Sequence, residues 1–212
     1  TRKPTNIAAL KAYPSFFHNR PILLVGTVST SEKGIVVTDD NGSFKVLFKG
    51  SAPDGLDEIR GEFWDIGRMK SDEPQLAGYD MLRTFGVDPN GAWPRPGEVT
   101  AIIATNISQA VLPPSPSIRA LVLHPTRFVD QKVTITGQFG GRNLFGDLPD
   151  APGKSRYDFV LRSADSAIWI TGAQPKGKGF NFSLDSRLDS GRWLEITGTV
   201  KSGRGLTWLD VK

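Results

Sequence analysis

The sequence predicts an all-β protein with minor helical content, built as two tandem five-stranded Greek-key barrels that arose by internal duplication. The segment at 9–28, ALKAYPSFFHNRPILLVGTV, recurs 111 residues later at 120–139 as ALVLHPTRFVDQKVTITGQF. A second match pairs DEIRGEF at 57–63 with LEITGTV at 194–200. Similarity at a fixed spacing indicates a duplicated structural unit. The 23 glycines and 15 prolines favour turns and short strands over long helices.

Each copy opens with the same succession of elements. In the first copy, a short apolar helical or turn segment ends at Pro14, Phe17 follows, and a strand then reaches Gly26; the second copy repeats these residues 111 positions later. The opening strand of copy two reads VTIT at 133–136, and this alternation predicts one buried and one exposed face. Its counterpart reads ILLV at 22–25, which predicts that both faces are covered.

A hairpin and a glycine-interrupted strand complete each unit. GIVVTDDNGSFKVLFKG at 34–50 predicts a hairpin with its turn at 39–42, because Asn-Gly readily adopts the positive φ angles that tight turns require. YDFVLRS and SAIWIT take the same place in the second copy. Gly61 and Gly198, in the middle of the closing strands, predict a bulge or a sharp bend of the kind found at a barrel corner.

These motifs resemble the OB-fold (oligonucleotide/oligosaccharide-binding) superfamily. The segments ILLVGTV, GIVVTDDNGSFKVLF and DEIRGEFW are similar to those of its tRNA-anticodon-binding-like members, and the whole chain resembles bacterial proteins with two such domains. The resemblance implies a ligand site on strands 2 and 3 of a barrel, and on the loops between strands 1 and 2 and between strands 4 and 5.

The two copies differ in where they carry extra residues. The first barrel is predicted at 1–110 with a long insertion at about 69–97, and the second at 118–212 with enlarged connections between strands 1 and 2 and between strands 3 and 4. A proline-rich linker at 111–117 separates them. Each copy thus enlarges one of the loops with which the superfamily holds ligands. The alternative is that these loops fill the barrel ends or pack the domains together.

The net charge of +4 is unevenly distributed along the chain. Residues 1–110 carry 12 Lys and Arg against 13 Asp and Glu, whereas residues 111–212 carry 14 against 9. A polyanionic partner is therefore expected at the second half. The alternative is ordinary surface charge that serves solubility.

The sequence lacks the motifs of metal binding, of phosphate-binding loops and of nucleophilic catalysis. The chain has no cysteine and only His18 and His124, so we expect no metal site. Gly153-Lys154-Ser155 resembles the end of a phosphate-binding loop, but Leu148 stands where that motif requires glycine. No nucleophile elbow is present, and the paired aspartates are typical of turns. The sequence predicts neither an enzyme nor a cofactor.

Nucleic-acid binding requires basic residues interleaved with aromatic ones near the barrel face. The predicted ligand-binding residues are Arg142, Lys154, Arg156, Tyr157, Arg162, Lys176, Lys178 and Phe180 in the second copy, with Lys45 and Arg68 in the first. The alternating segments around Tyr157, Phe159 and Trp169 require half of these aromatics to face the core. Trp193 and Trp208, on late strands, are expected in the core or at a domain interface.

The sequence therefore favours a non-catalytic binding module whose default ligand is single-stranded nucleic acid, with contacts mainly in the second barrel. The alternative is an exported or envelope-associated module that binds protein or glycan, or that acts as a scaffold within a longer chain. The absence of cysteine is compatible with an oxidising, periplasmic setting. No apolar run approaches the roughly 18 residues that a membrane span requires, so we expect no membrane insertion.

Overall fold

The computed structural model describes residues 2–212. The chain divides into two compact units, one ending at Val111 and the other beginning at Leu112. Each unit contains a closed five-stranded barrel with short helices beside it. The predicted fold class, all-β with minor helix in two tandem OB-type barrels, is confirmed.

The first barrel closes in the order β2-β3-β4-β6-β5, with β5 pairing back onto β2. Its strands are β2 (Arg20–Ser31), β3 (Gly34–Asp39), β4 (Gly42–Leu47), β5 (Gly55–Asp65) and β6 (Thr100–Gln109), preceded by the two-residue β1 (Lys3–Pro4) parallel to β2. The third and fifth barrel strands, β4 and β6, run parallel, whereas the other neighbours in the barrel are antiparallel. The predicted hairpin is β3–β4, and its turn ends at Gly42 with φ 134°.

The second barrel repeats this topology in the order β10-β11-β9-β8-β7. Its strands are β7 (Lys132–Phe139), β8 (Phe159–Arg162), β9 (Ala167–Thr171), β10 (Trp193–Gly203) and β11 (Leu206–Asp210). Again the third and fifth strands, β9 and β11, are parallel. Both barrels therefore have the same strand order, as the repeated sequence requires.

Short helices precede the first strand of each barrel. They are α1 (Ile7–Ala12) and α2 (Pro14–Phe17) in the first unit, and α4 (Ile118–Leu123) and α5 (Pro125–Phe128) in the second. Asn6 and Ser117, which are 111 residues apart, cap α1 and α4 by accepting a hydrogen bond from a backbone N–H three residues on. The predicted segment does not simply end at proline, because Pro14 and Pro125 each begin a second helix, where their fixed φ is favourable.

Each barrel encloses its own apolar core. Val133 and Ile135 are buried while Thr134 and Thr136 are exposed, as the alternating pattern predicted. All four residues of ILLV at 22–25 are buried, which confirms the expectation that both faces of that strand are covered. Trp193 is 66% exposed and so does not belong to the core of its barrel.

The glycines in the middle of β5 and β10 are required by the close approach of a neighbouring strand. A Cβ at Gly61 would lie 2.2 Å from the carbonyl oxygen of Ile103, and one at Gly198 would lie 2.6 Å from that of Asp210. The pairing of β5 with β6 also shifts its register between Arg60 and Gly61, which is the predicted bulge. The neighbouring strands can approach this closely only because these positions lack a side chain.

Residues 66–99 of the first unit, which join β5 to β6, form a second small core outside the barrel. They include two short 3₁₀ turns, Ile66–Arg68 and Pro74–Leu76, and helix α3 (Met81–Phe85). Their apolar side chains pack with Leu47, Trp64 and Ala101, whose neighbours Val46, Phe63 and Ile102 face the barrel interior. The insertion therefore covers the outer face of β4, β5 and β6.

Asp65 anchors both ends of this insertion. Its buried carboxylate accepts hydrogen bonds from the backbone N–H of Gly67 at 3.2 Å and of Gly97 at 2.8 Å, and from Nε of Arg68 at 3.1 Å. The backbone N–H of Asp65 donates in turn to Nδ1 of His18 at 3.0 Å. One carboxylate thus closes a loop of more than 30 residues.

Candidate functional site

Residues 140–158 of the second barrel, here called the outer loop, join β7 to β8 and cross the outer face of the barrel. Over β8, Asp147 pairs with Arg162. Over β9, the carbonyl oxygen of Asp150 accepts a hydrogen bond from the indole of Trp169 at 2.7 Å. Over β11, the ammonium of Lys154 lies 5.3 Å from the ring centre of Trp208.

The outer loop therefore occupies the face that the resemblance implies for a ligand. Val160 and Trp169 point outwards from β8 and β9 but are buried, because the loop lies over these strands. The part of this face that stays open is its margin at the end of β9 and along β11. A cleft of about 450 Å³ lies there, within the range of small-ligand sites.

We call this cavity the basic cleft. Its lining residues are Lys154, Ser155, Thr171, Gly172, Ala173, Gln174, Lys201, Trp208, Asp210 and Lys212. Three lysines and one aspartate are among these residues, and the Asp210 carboxylate already accepts a hydrogen bond from the Thr171 hydroxyl at 3.3 Å. The excess of positive charge makes the cleft suited to an anion.

The backbone at the start of the cleft is fixed by a buried carboxylate. Oδ2 of Asp158 accepts hydrogen bonds from the backbone N–H of Lys154 at 2.9 Å and of Ser155 at 3.1 Å. Asp158 itself is buried. Its other oxygen, Oδ1, has no hydrogen-bond partner within residues 2–212. Because this carboxylate holds the turn, the loop's own structure fixes the backbone of Lys154, whose side chain extends over Trp208.

The lysines of the cleft differ in whether they already pair with a carboxylate. Lys201 pairs with Asp130 at 2.7 Å, but 42% of the Lys201 side chain and 70% of the Asp130 side chain are exposed, so water and salt weaken this pair. Lys154 and Lys212 are exposed and have no carboxylate partner in the part of the chain that the structure describes. These two cations are therefore the most available for a ligand.

A second group of predicted residues follows directly along the outer loop. The guanidinium of Arg156 lies 4.8 Å from the ring centre of Tyr157 and donates to its hydroxyl at 2.6 Å. The ammonium of Lys176 lies 5.5 Å from the same ring. Since Ser155 and Gln174 line the basic cleft, the Arg156–Tyr157–Lys176 group adjoins it on both chain segments.

Two further predicted residues lie on the connection between β9 and β10. Lys178 is exposed, and Phe180 is 52% exposed with its ring packed 5.9 Å from that of Phe182. Gly177 and Gly179, on either side of Lys178, have positive φ angles. The connection places Lys176 beside Tyr157. Neither Lys178 nor Phe180 makes a described contact with the residues that line the cleft.

Arg142 and Arg162 are held in contacts within the second barrel. Arg142 pairs with Asp185 at 3.0 Å and donates to a backbone carbonyl of the outer loop at 2.7 Å. Arg162 pairs with Asp147 and lies 4.0 Å from the ring centre of Phe145. The contacts of both side chains stabilise the position of the outer loop.

Lys45 and Arg68 likewise stabilise the insertion of the first barrel through contacts within their own unit. Lys45 donates to the carbonyl of Thr84 and lies 5.4 Å from the ring centre of Phe85. Arg68 pairs with Asp65 at 3.1 Å. Of the ten predicted residues, the structure therefore brings Lys154, Arg156, Tyr157 and Lys176 together at or beside the basic cleft.

Trp208, Lys201 and Lys212, which line the cleft, are not among the residues predicted from the sequence. A signal existed in the last strand, where Trp208, Asp210 and Lys212 alternate with Leu209 and Val211. This pattern places the first set outside and the second inside. The missing information was that the outer loop would end beside them, which depends on tertiary packing.

The first barrel has a cavity of similar size, about 460 Å³, near the start of β4. Lys11 and Lys45 line it together with Glu98 and several apolar side chains. Two lysines and one glutamate leave this cavity a smaller positive excess than the three lysines and one aspartate of the basic cleft, and Lys45 already donates to the carbonyl of Thr84.

The two histidines are structural. Burial lowers the pKa of His18, which packs edge-on against Trp64 at 5.3 Å, and burial likewise lowers the pKa of His124. Within residues 2–212 no group of three or more His, Cys, Asp or Glu side chains could hold a metal ion. No helix in the same range is long and apolar enough to cross a membrane.

No protein-family model matches the chain, and no curated protein matches it in sequence. Among solved structures, it is similar to a deletion mutant of the single-stranded DNA binding protein from Thermus aquaticus. The two chains are 12% identical, with 90% of each chain covered and a TM-score of 0.24. A superposition of that score transfers no site to this chain.

Proposed function

We propose that the protein is a non-catalytic binding module that takes up single-stranded nucleic acid at the basic cleft of its second barrel. One observation carries the proposal: an open cleft of about 450 Å³ that is lined by three lysines and one aspartate and lies next to the Arg156–Tyr157–Lys176 group. Phosphate contacts from Lys and Arg supply most of the affinity in such complexes. A concave site of this size admits a flexible single strand more readily than a rigid duplex.

The resemblance to tRNA-anticodon-binding-like proteins suggests RNA as one form of this ligand. The location differs from the one that the resemblance implies, because the outer loop covers the middle of β8 and β9. The ligand would instead follow the margin of the barrel, from Lys212 and Lys154 to Arg156 and Lys176.

The salt dependence of binding follows from the number of cations on this path. Four contacts, from Lys154, Arg156, Lys176 and Lys212, give a slope of about −3 in a plot of log K against log salt for a single strand. Affinity should then fall roughly 50-fold between about 50 and 200 mM salt.

The test is fluorescence anisotropy of a labelled oligothymidine strand at these two salt concentrations. Lys154→Ala with Lys212→Ala should weaken binding at least about 10-fold at low salt and halve the salt slope. The matched control is Lys33→Ala with Lys70→Ala, which removes the same charge from exposed positions of the first barrel. Equal loss in both double variants would refute the location, and no binding of the unmodified protein at low salt would refute the function.

A second candidate, protein or glycan binding, is favoured by Trp193. This side chain is 66% exposed on the outer face of β10, opposite Gln138 of β7. An aromatic platform beside polar groups suits a sugar ring or a protein partner. Failure of nucleic-acid binding, together with a ligand whose binding is lost in Trp193→Ala, would support this candidate.

A further inference from the structure

Granting the proposed nucleic-acid role of the basic cleft, we infer that this site recognises the phosphates of a strand and not its bases. Most single-strand binding sites combine cations along the backbone with aromatic rings on which bases stack. In this cleft the cations are available, whereas the neighbouring aromatic rings are already covered.

Trp208 is the ring that lines the cleft, but little of it is open. The residue is only 9% exposed, and the ammonium of Lys154 lies 5.3 Å from its ring centre. Gly203 approaches the ring from the neighbouring strand, since a Cβ there would lie 3.4 Å from Cη2 of Trp208. A base could stack on Trp208 only by displacing Lys154, which would remove one of the cations that attract the strand.

The other rings near the site are engaged as well. Trp169 is 2% exposed, and its N–H already donates to Asp150. Tyr157 has the cations of Arg156 and Lys176 over its ring, at 4.8 and 5.5 Å. Cation–π contacts of this kind occupy the ring surface that a base would need.

The polar groups of the cleft suit phosphate oxygens. Lys154, Lys201 and Lys212 carry ammonium groups, which act as compact point charges without the planar fork of an arginine and attract a phosphate whichever base it carries. Ser155 accepts a hydrogen bond from the backbone N–H of Tyr157, so its hydroxyl hydrogen is left to donate. Among the lining groups only the Gln174 amide and the Asp210 carboxylate match a base edge, and this carboxylate already accepts a hydrogen bond from Thr171, so the lysines and Ser155 favour phosphate contacts.

Substitution of Phe180 tests whether a base stacks on an aromatic ring beside the cleft. It is 52% exposed and lies on the connection that brings Lys176 to Tyr157. Of the aromatic rings on the outer loop and this connection, that of Phe180 has the most open surface, although it makes no described contact with the lining of the cleft. Loss of one stacked base corresponds to about a 5- to 150-fold loss of affinity.

The experiment compares three labelled strands of equal length at about 50 mM salt: oligothymidine, an abasic strand with the same phosphates, and a methylphosphonate oligothymidine that keeps the bases but has a neutral backbone. We expect the abasic strand to bind within about threefold of oligothymidine, the methylphosphonate strand not to bind, and Phe180→Ala to leave binding unchanged.

The outcomes separate this inference from the proposed function. If oligothymidine binds but the abasic strand binds more than about 10-fold more weakly, the site reads bases and the inference is wrong while the function stands. A loss of more than about fivefold in Phe180→Ala has the same meaning. If neither oligothymidine nor the abasic strand binds, both the function and the inference fail.

Discussion

Replacing Asp57 by leucine should stabilise the first barrel. Asp57 lies opposite Gly26 in the pairing of β2 with β5, and Leu194 lies opposite Gly137 at the equivalent place of the second barrel. Leu194 belongs to its barrel core. Asp57 is equally buried, at 1% exposure, yet its Oδ2 has no hydrogen-bond partner in the described chain.

The size of the effect follows from two contributions and one cost. Burying a leucine side chain contributes about 2 kcal/mol, and removing a buried oxygen without a partner contributes about 1 to 3 kcal/mol. A larger side chain in a packed core costs about 1 to 3 kcal/mol where the neighbours must shift. We therefore expect Asp57→Leu to raise the free energy of unfolding by about 2 kcal/mol at pH 7.

The gain should depend on pH in a defined direction. Burial, and secondarily the negative charge of Asp54, raise the pKa of Asp57 above its ordinary value of 3.8. The native state therefore binds this proton more tightly than the unfolded state does, and the unmodified protein gains stability as pH falls through the raised pKa towards 3.8. Asp57→Leu lacks this titration, so its advantage should shrink over the same range.

Urea unfolding at about pH 7 and pH 4 measures both effects. Asp57→Asn should show a smaller gain than the leucine variant because it keeps a polar group in the core. The exposed Asp72→Asn serves as a control for net charge and should change stability by less than about 0.5 kcal/mol. A leucine variant less stable than the unmodified protein at pH 7 would show that the Asp57 carboxylate is not an unfavourable group.

Three other changes test the fold. Gly61→Ala places a Cβ 2.2 Å from the Ile103 carbonyl and should lower the unfolding free energy by about 3 kcal/mol in urea titration; a loss below about 1 kcal/mol would contradict the close approach. Asp65→Ala removes the acceptor that closes the 66–99 insertion, and it should lower stability by roughly 2 to 4 kcal/mol and speed proteolysis within that insertion; unchanged cleavage would argue against the anchor. The pKa of His18 is lowered by burial, so its neutral form stabilises the protein fully above about pH 6.5 and this contribution declines as pH falls. The urea midpoint should thus drop between about pH 7.5 and 5.5, and by less in His18→Gln.

The repeat made the barrels predictable because the determinants of a strand are local. Alternation at 133–136 set which side chains face inwards, and glycine at positions 61 and 198 marked where strands must approach each other. Because the second copy lies 111 residues after the first, each of these local patterns occurs twice in the sequence. Even finer features repeat, since Asn19 and Asp130 both adopt positive φ angles at the same place in each copy.

The candidate site was predictable only in part, because charge and aromaticity do not say where a side chain points. Arg142, Arg162 and Lys45 satisfied the basic pattern as well as Lys154 did, but partners 15 or more residues away hold them in ion pairs or a backbone hydrogen bond, and Arg68 pairs locally with Asp65. No local signal marks such a partnership, since Asp147 and Asp185 look like ordinary turn residues.

The sequence by itself determined two barrels, their strand order and the excess of positive charge in the second half, since these depend on local periodicity, on repetition and on composition. The tertiary structure alone decided which part of the second barrel stays open. The outer loop covers β8 and β9 through contacts between residues far apart in the chain, and it leaves Lys154 above Trp208 beside Lys212. Such contacts depend on how a long irregular segment packs against the finished barrel, and no periodicity in the sequence encodes that packing.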